Sequence, residues 1–217
     1  IKTDDHSLWT PKNYDSVYHG TTTVRQALTL SLNAATVELT QKIGPDAIIT
    51  FAQRLGIKSP LEKNLTLGLG AYEVNLLELT AAYAPFANGG FRVSPYLIAA
   101  VFDAQGNTLE FTSFERHTVM EPALAYLMTS LLQDVVKEGT AQSLARFNWT
   151  RPTAGKTGTT NDGRDGWFVG YTPELLTGVW AGDDNFEAIG ASGARDAVPL
   201  WAGFAKEVLM DYAETSF

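Results

Sequence analysis

Residues 154–161 read Ala-Gly-Lys-Thr-Gly-Thr-Thr-Asn, AGKTGTTN, and two incompatible chemistries fit those letters. A Gly-Lys-Thr run is how a phosphate-cradling loop ends, while Lys-Thr-Gly-Thr is also how one wall of a serine acyl-transfer site can be built. The phosphate loop needs a glycine five residues before the Gly-Lys pair, behind a strand and ahead of a helix. That position is Thr150, and Pro152 sits where the loop would curl. The run Gly-Thr-Thr-Asn-Asp-Gly after Thr157 is a poor helix start, and the next apolar residues alternate as a strand. The segment therefore reads as a strand, and nucleotide binding is set aside.

Working outward, WFVGYT (167–172) and LLTGVWAG (175–182), joined at Pro173-Glu174, predict an antiparallel hairpin. Alternation puts Thr157 and Thr159 on one face of the first strand and Lys156 on the other. Gly158 offers a substrate backbone a close approach. Upstream, Leu124, Leu127, Met128, Leu131, Leu132, Val135 and Val136 recur at helical spacing and stop at Gly139. Residues 75–88 predict a helix closed by Gly89-Gly90. Pro45 opens another, carrying Ile48, Phe51, Ala52 and Leu55 and capped by Gly56. Residues 21–43 are helical with a break at Ser31-Leu32-Asn33, between a stripe of Val24, Ala27 and Leu28 and one of Ala34, Val37 and Leu39. The first twenty residues read as loop. Residues 96–102 predict a strand, turning at 103–107 into TLEFTSF. The tail 199–212 is helical, with Leu200, Phe204, Val208, Leu209 and Tyr212 on one side. Helices followed by a mainly antiparallel sheet and a closing helix indicate an α+β domain over 1–217, with a helical lobe at about 21–90 and a sheet-rich part at about 91–217.

Composition narrows the function. A hydrophobic fraction of 45% in 217 residues allows a sizeable core. The net charge of −8 argues against nucleic acid or an anionic membrane surface as a partner. No run approaches the roughly 20 apolar residues of a membrane span, and the opening residues lack the pattern of a signal peptide. Without cysteine there are no thiolate ligands, and His6, His19 and His117 are scattered, so neither metal nor cofactor is expected.

From about residue 9 to 209 the chain resembles the transpeptidase domain of class A (bifunctional) penicillin-binding proteins. The resemblance is carried by WTPKNYDSVYHGTTTVRQALTLSLNAATVEL, LGLGAYEVNLLELTAAYAPFANGG, AGKTGTTNDGRDGWFVGYTPELLTGVWAGDDN and GASGARDAVPLW. One departure is Asn75-Leu76, where that family more often has a small polar residue followed by Pro. The resemblance implies the β-lactamase/penicillin-binding-protein-like fold, an antiparallel sheet flanked by helices, here a partial domain. It implies a peptidoglycan D,D-transpeptidase working through a serine acyl-enzyme, with D-Ala-D-Ala stem peptides and β-lactams as ligands. It also implies a parent anchored in the cytoplasmic membrane, extracytoplasmic, with an upstream glycosyltransferase domain. By resemblance, Ser31 relays a proton to the leaving amine, Asn33 orients the donor amide, and Lys156 bonds Ser31 and draws the substrate carboxylate. Thr157, Gly158, Thr159 and Thr160 form the substrate-binding strand, with the Thr159 N–H as an oxyanion donor.

The nucleophile is missing from this sequence. No serine has lysine three positions on, and Ser143 and Ser192 have Arg there. Arginine does not give up its proton to act as a base. The expectation is a C-terminal piece whose S-x-x-K segment lies upstream. Alternatives are a D,D-carboxypeptidase or a non-catalytic cell-wall-binding module. A class A β-lactamase is disfavoured, because Glu62 and Glu73 are followed at +4 by Thr66 and Leu77 rather than asparagine. Plainer roles also exist: Ser31 and Asn33 as helix caps, Thr157 and Thr159 as ordinary strand residues, Trp167 and Phe168 as core, Arg164 and Asp165 as turn or surface charges.

Overall fold

The computed structural model describes residues 9–217. The opening loop is accordingly seen from Trp9 onward, while residues 1–8, His6 included, lie outside the described residues. Two helices, α1 (Val24–Thr29) and α2 (Asn33–Ile43), flank the expected break at Ser31. Pro45 stands at the start of α3 (Pro45–Leu55), and Gly56 ends it in the left-handed conformation. A fourth helix, α4 (Leu76–Ala87), is capped by Asn75, whose side chain accepts from the Glu78 N–H at 2.8 Å.

Short strands follow. β1 (Phe91–Val93) pairs antiparallel with β4 (Arg116–Thr118), and β2 (Ala100–Phe102) pairs with β3 (Thr108–Phe111). The strand expected over 96–102 is thus reduced to its last three residues. Pro95 cannot donate to a ladder, and pairing beyond Ala100 continues only through Thr112, whose N–H reaches the Ala99 carbonyl. β1 and β4 have three residues each, too few for an alternating pattern to register. The β2–β3 hairpin is paired to itself and leaves Leu97, Leu109, Phe111 and Phe114 exposed.

The long helix α5 (Pro122–Lys137) precedes the main sheet, β5 (Ala154–Thr159), β6 (Asp165–Tyr171) and β7 (Leu176–Gly182), which is antiparallel in the order β5-β6-β7. The chain closes with α6 (Val198–Val208). Opposed Cα pairs share a face, so the β5–β6 register sets Thr157 with Phe168 and Lys156 with Val169. On the Phe168 face lies α6: the Trp201 ring meets Phe168 edge-on at 5.5 Å, and its indole N–H reaches the Gly170 carbonyl at 3.2 Å. On the Val169 face lie α4 and α5, with Thr129 of α5 bonded to the Tyr171 hydroxyl at 2.9 Å. Trp201, Phe168, Tyr171, Leu132, Val135 and Leu144 form the buried centre. Among the described residues no helix is long and apolar enough to cross a membrane.

One helix face differs from expectation in part and another more fully: Met128, Leu132, Val135 and Val136 of α5 lie on the core as expected. In α5 the buried residues are Ala125, Thr129, Leu132 and Val135, and Leu124 and Leu127 are exposed. In α6 the buried residues are Val198, Trp201, Ala202 and Ala205, while Leu200, Phe204 and Val208 face outward; past its end Leu209 is buried and Tyr212 exposed. Large apolar side chains sit on both sides of α6. The sheet takes the side where alanines let the backbone approach and one tryptophan fills the remaining space.

Candidate active site

Ser31 belongs to neither helix. α1 closes with Leu30 N–H on the Gln26 carbonyl, Ser31 N–H on Leu28 and Leu32 N–H on Ala27. Ser31 takes a φ of +55°, in the left-handed region where a side chain is disfavoured by about 1–2 kcal/mol. Buried Leu32 anchors the turn just after it. Neither Ser31 nor Asn33 caps α2, since the residue before that helix is Leu32 and provides no side-chain cap. The cap comes from the opening arm: Asn13, itself buried, accepts the Ala34 N–H on Oδ1 at 3.0 Å and donates to the Val17 carbonyl at 2.6 Å.

Lys156 lies 125 residues from Ser31 in sequence, yet its Nζ donates to Ser31 Oγ at 2.9 Å. The same ammonium donates to the Thr157 carbonyl at 2.9 Å. Two of its three N–H groups are thereby used, leaving one for a ligand. Burial pushes the Lys156 pKa down to about 8. The predicted residues converge in part. Ser31 and Lys156 meet, whereas Asn33 turns its amide to the Lys12 carbonyl at 2.9 Å.

β5 is an end strand, and its backbone direction follows from the turn after it. Thr160 N–H bonds the Asp165 carbonyl at 3.1 Å, so even-numbered residues here address β6. Thr157 and Thr159 then present their N–H and C=O groups to the open edge, which is how the Lys156 ammonium reaches the Thr157 carbonyl. The Thr157 hydroxyl sits 2.5 Å from that of Thr140. Thr159 Oγ1 accepts from the Gly193 N–H at 3.1 Å and keeps its own proton to donate. Thr160 Oγ1 accepts from the Asp165 N–H at 2.8 Å and so serves the β5–β6 turn. At Gly158 the crowding comes from within the sheet, since a Cβ there would sit 3.2 Å from Trp167 Cβ. Phe168 is core, Trp167 is partly buried against Trp180, and Asp165 accepts the Trp180 indole N–H at 2.8 Å.

Asn13 and Thr140 escaped the sequence reading. Asn13 lies in a polar arm and Thr140 just past a helix end, and no spacing rule ties either to the motifs they touch. No cluster of three or more His, Cys, Asp or Glu suited to a metal occurs among the described residues.

Comparison with known proteins converges on one family. The model described as "Penicillin binding protein transpeptidase domain" matches residues 1–187. Penicillin-binding protein 1A of Aquifex aeolicus is 39% identical over 211 residues, covering 96% of this chain and 29% of that relative. Penicillin-binding protein 1A of Neisseria lactamica is 38% identical, covering 94% and 26%. The chain thus spans less than a third of the length of these curated relatives. Among solved structures, penicillin-binding protein 1A from Haemophilus influenzae superposes with a TM-score of 0.91 at 28% identity, over all of this chain and 38% of that one. PonA1 from Mycobacterium tuberculosis, solved in complex with penicillin V, has a TM-score of 0.84 at 26% identity, over all of this chain and 63% of that one.

Proposed function

Since this chain belongs to the penicillin-binding protein transpeptidase domain family, we propose that it carries part of the site of a D,D-transpeptidase that cross-links peptidoglycan through a serine acyl-enzyme. The nucleophile in this reading is the serine of an S-x-x-K segment outside these 217 residues. The setting is extracytoplasmic, on a membrane-anchored parent. The observation that carries the reading is the 2.9 Å bond from Lys156 Nζ to Ser31 Oγ. Two polar side chains from different lobes meet at the free edge of a strand, with the ammonium partly desolvated.

The chemistry follows from donor and acceptor roles. The nucleophilic oxygen bonds the carbonyl carbon of the penultimate D-Ala, and its proton goes to the S-x-x-K lysine. Lys156 donates to Ser31 Oγ, so the Ser31 proton is free to pass to the departing nitrogen as the C–N bond breaks, and the proton held by the S-x-x-K lysine replaces it while Lys156 stays charged. Terminal D-Ala leaves and an acceptor amine later displaces the serine. The third Lys156 N–H and the Thr157 and Thr159 hydroxyls receive the substrate's terminal carboxylate, and the outward Thr159 N–H faces the developing oxyanion. Asn33 orients the donor amide once its side chain exchanges Lys12 for substrate. A β-lactam, mimicking the peptide, is trapped as the ester.

The test is covalent labelling. The complete protein incubated with a fluorescent penicillin is expected to carry label through a denaturing gel, and the 217-residue chain alone is expected to carry none. Lys156→Ala in the complete protein should slow acylation by about 10²-fold. An unlabelled complete protein would end the enzymatic reading, and a Lys156→Ala variant acylating at parent speed would remove that residue from the mechanism.

A further inference from the structure

We propose that Thr140 is a positioning residue, whose hydroxyl donates to Thr157 Oγ1 and thereby turns the Thr157 proton toward the carboxylate of the bound ligand. This rests on the transpeptidase reading and adds to it a residue that neither motif contains.

The geometry begins where α5 ends. The helix lies on one face of the sheet, and the segment Gln142–Phe147 that follows packs with α6 on the other. Gly139 and Thr140 therefore pass around the open edge of β5. The passage is tight: a Cβ on Gly139 would lie 2.2 Å from the Thr29 carbonyl oxygen and 2.8 Å from Val135 Cα. The Thr140 N–H donates to that Thr29 carbonyl at 3.3 Å, while Ala141 N–H returns to Val135 and Gln142 N–H to Gly139. Thr29 is two residues before Ser31. One short backbone segment thus touches the wall that carries Ser31 and, through the 2.5 Å hydroxyl pair, the wall that carries Lys156 and Thr157.

Proton counting sets the direction of that pair. Either hydroxyl can donate in the free protein. A carboxylate only accepts, so a Thr157 that serves one spends its single proton on it, and its oxygen is left as an acceptor. Thr140 is then the donor. It fixes the Thr157 rotor and polarises its O–H, as successive hydroxyls in a chain do. Removing the Thr140 hydroxyl leaves the strand in place but leaves the Thr157 proton undirected. The penalty falls on ligands that present the anion.

The experiment compares benzylpenicillin with its methyl ester, which lacks the anionic acceptor, as acylating agents of the complete protein. The measure is the ratio of the two second-order rate constants, acid over ester. It is independent of the fraction of correctly folded enzyme, because misfolding lowers both rates alike. In Thr140→Val the ratio is expected to fall about tenfold, the loss of one hydrogen bond to a charged system. In Thr140→Ser, which keeps the donor, the ratio should stay within about twofold of the parent. An unchanged ratio in Thr140→Val overturns this inference while leaving the transpeptidase reading intact. A parent protein unreactive toward both compounds removes that reading and this inference together.

Discussion

Ser31 holds a hydroxyl on a backbone that prefers glycine, and that strain fixes where the hydroxyl points. Its φ of +55° is stabilised by the three carbonyls of α1 that take up the turn and by buried Leu32. Ser31→Gly should therefore leave stability within about 1 kcal/mol of the parent on thermal denaturation, while acylation drops sharply. Lys156 gives a pH prediction. Its pKa is lowered to about 8, so the ammonium that draws the carboxylate is lost as pH rises through 8, where an ordinary lysine would keep its charge. Acylation by a β-lactam should fall with an apparent pKa near 8. In Lys156→Arg, which stays charged, the residual rate should be flat across that range. The stability sign runs the other way: between about 8 and the ordinary 10.5 the unfolded chain binds the extra proton, so the cost of burying this charge is full below pH 8 and fades above it. The pairing of Ser31 with Lys156 was legible in the motifs. The left-handed turn was not, because serine disfavours that conformation, and the engagement of Asn33 with Lys12 was not, because it depends on an arm whose own letters specify only a loop.

Periodicity identifies helices well and chooses their inward face less well. Starts, breaks and stops were readable at Ser31, Pro45, Gly56 and Gly139, where a single residue type marks the change. The face of α5 was readable over its C-terminal half, where Leu132 and Val135 are buried and Met128 and Val136 pack beside them, but not at Leu124 and Leu127, and that of α6 was not readable. Both helices carry apolar residues beyond the buried stripe, and only the sheet decides which side is covered. Trp201 is the residue the tail pattern overlooked. It is fully buried, stacks edge-on with Phe168 and Trp149, and donates to two carbonyls. Trp201→Ala should cost about 3–5 kcal/mol, read as the shift in urea midpoint. Asn13 makes a parallel point: a helix start can be satisfied from 21 residues away. Asn13→Ala should lower stability by about 1 kcal/mol, and Asn13→Asp by more, because its carboxylate keeps the acceptor for Ala34 but sets a second oxygen against the Val17 carbonyl.

At the scale of the molecule, the main sheet lies between α6 on one side and α4 and α5 on the other, and the candidate site opens at its free edge. That arrangement was legible as a class, since an antiparallel hairpin with a preceding Lys-Thr-Gly strand between long helices leaves few alternatives. The two small sheets were not, being built from strands of three and four residues. The β2–β3 hairpin has a consequence of its own. It is held by its own ladder, carries a register shift between Val101 and Phe102, and leaves all four β3 residues exposed. A two-stranded ribbon in water is marginal alone, so this one opens without waiting for the rest. In deuterated buffer its amides should exchange through local openings of about 0–2 kcal/mol, while those of Phe168 and Val169 wait for global unfolding. Uniformly slow exchange across both would mean that the ribbon is clamped, and that the molecule melts as one cooperative unit.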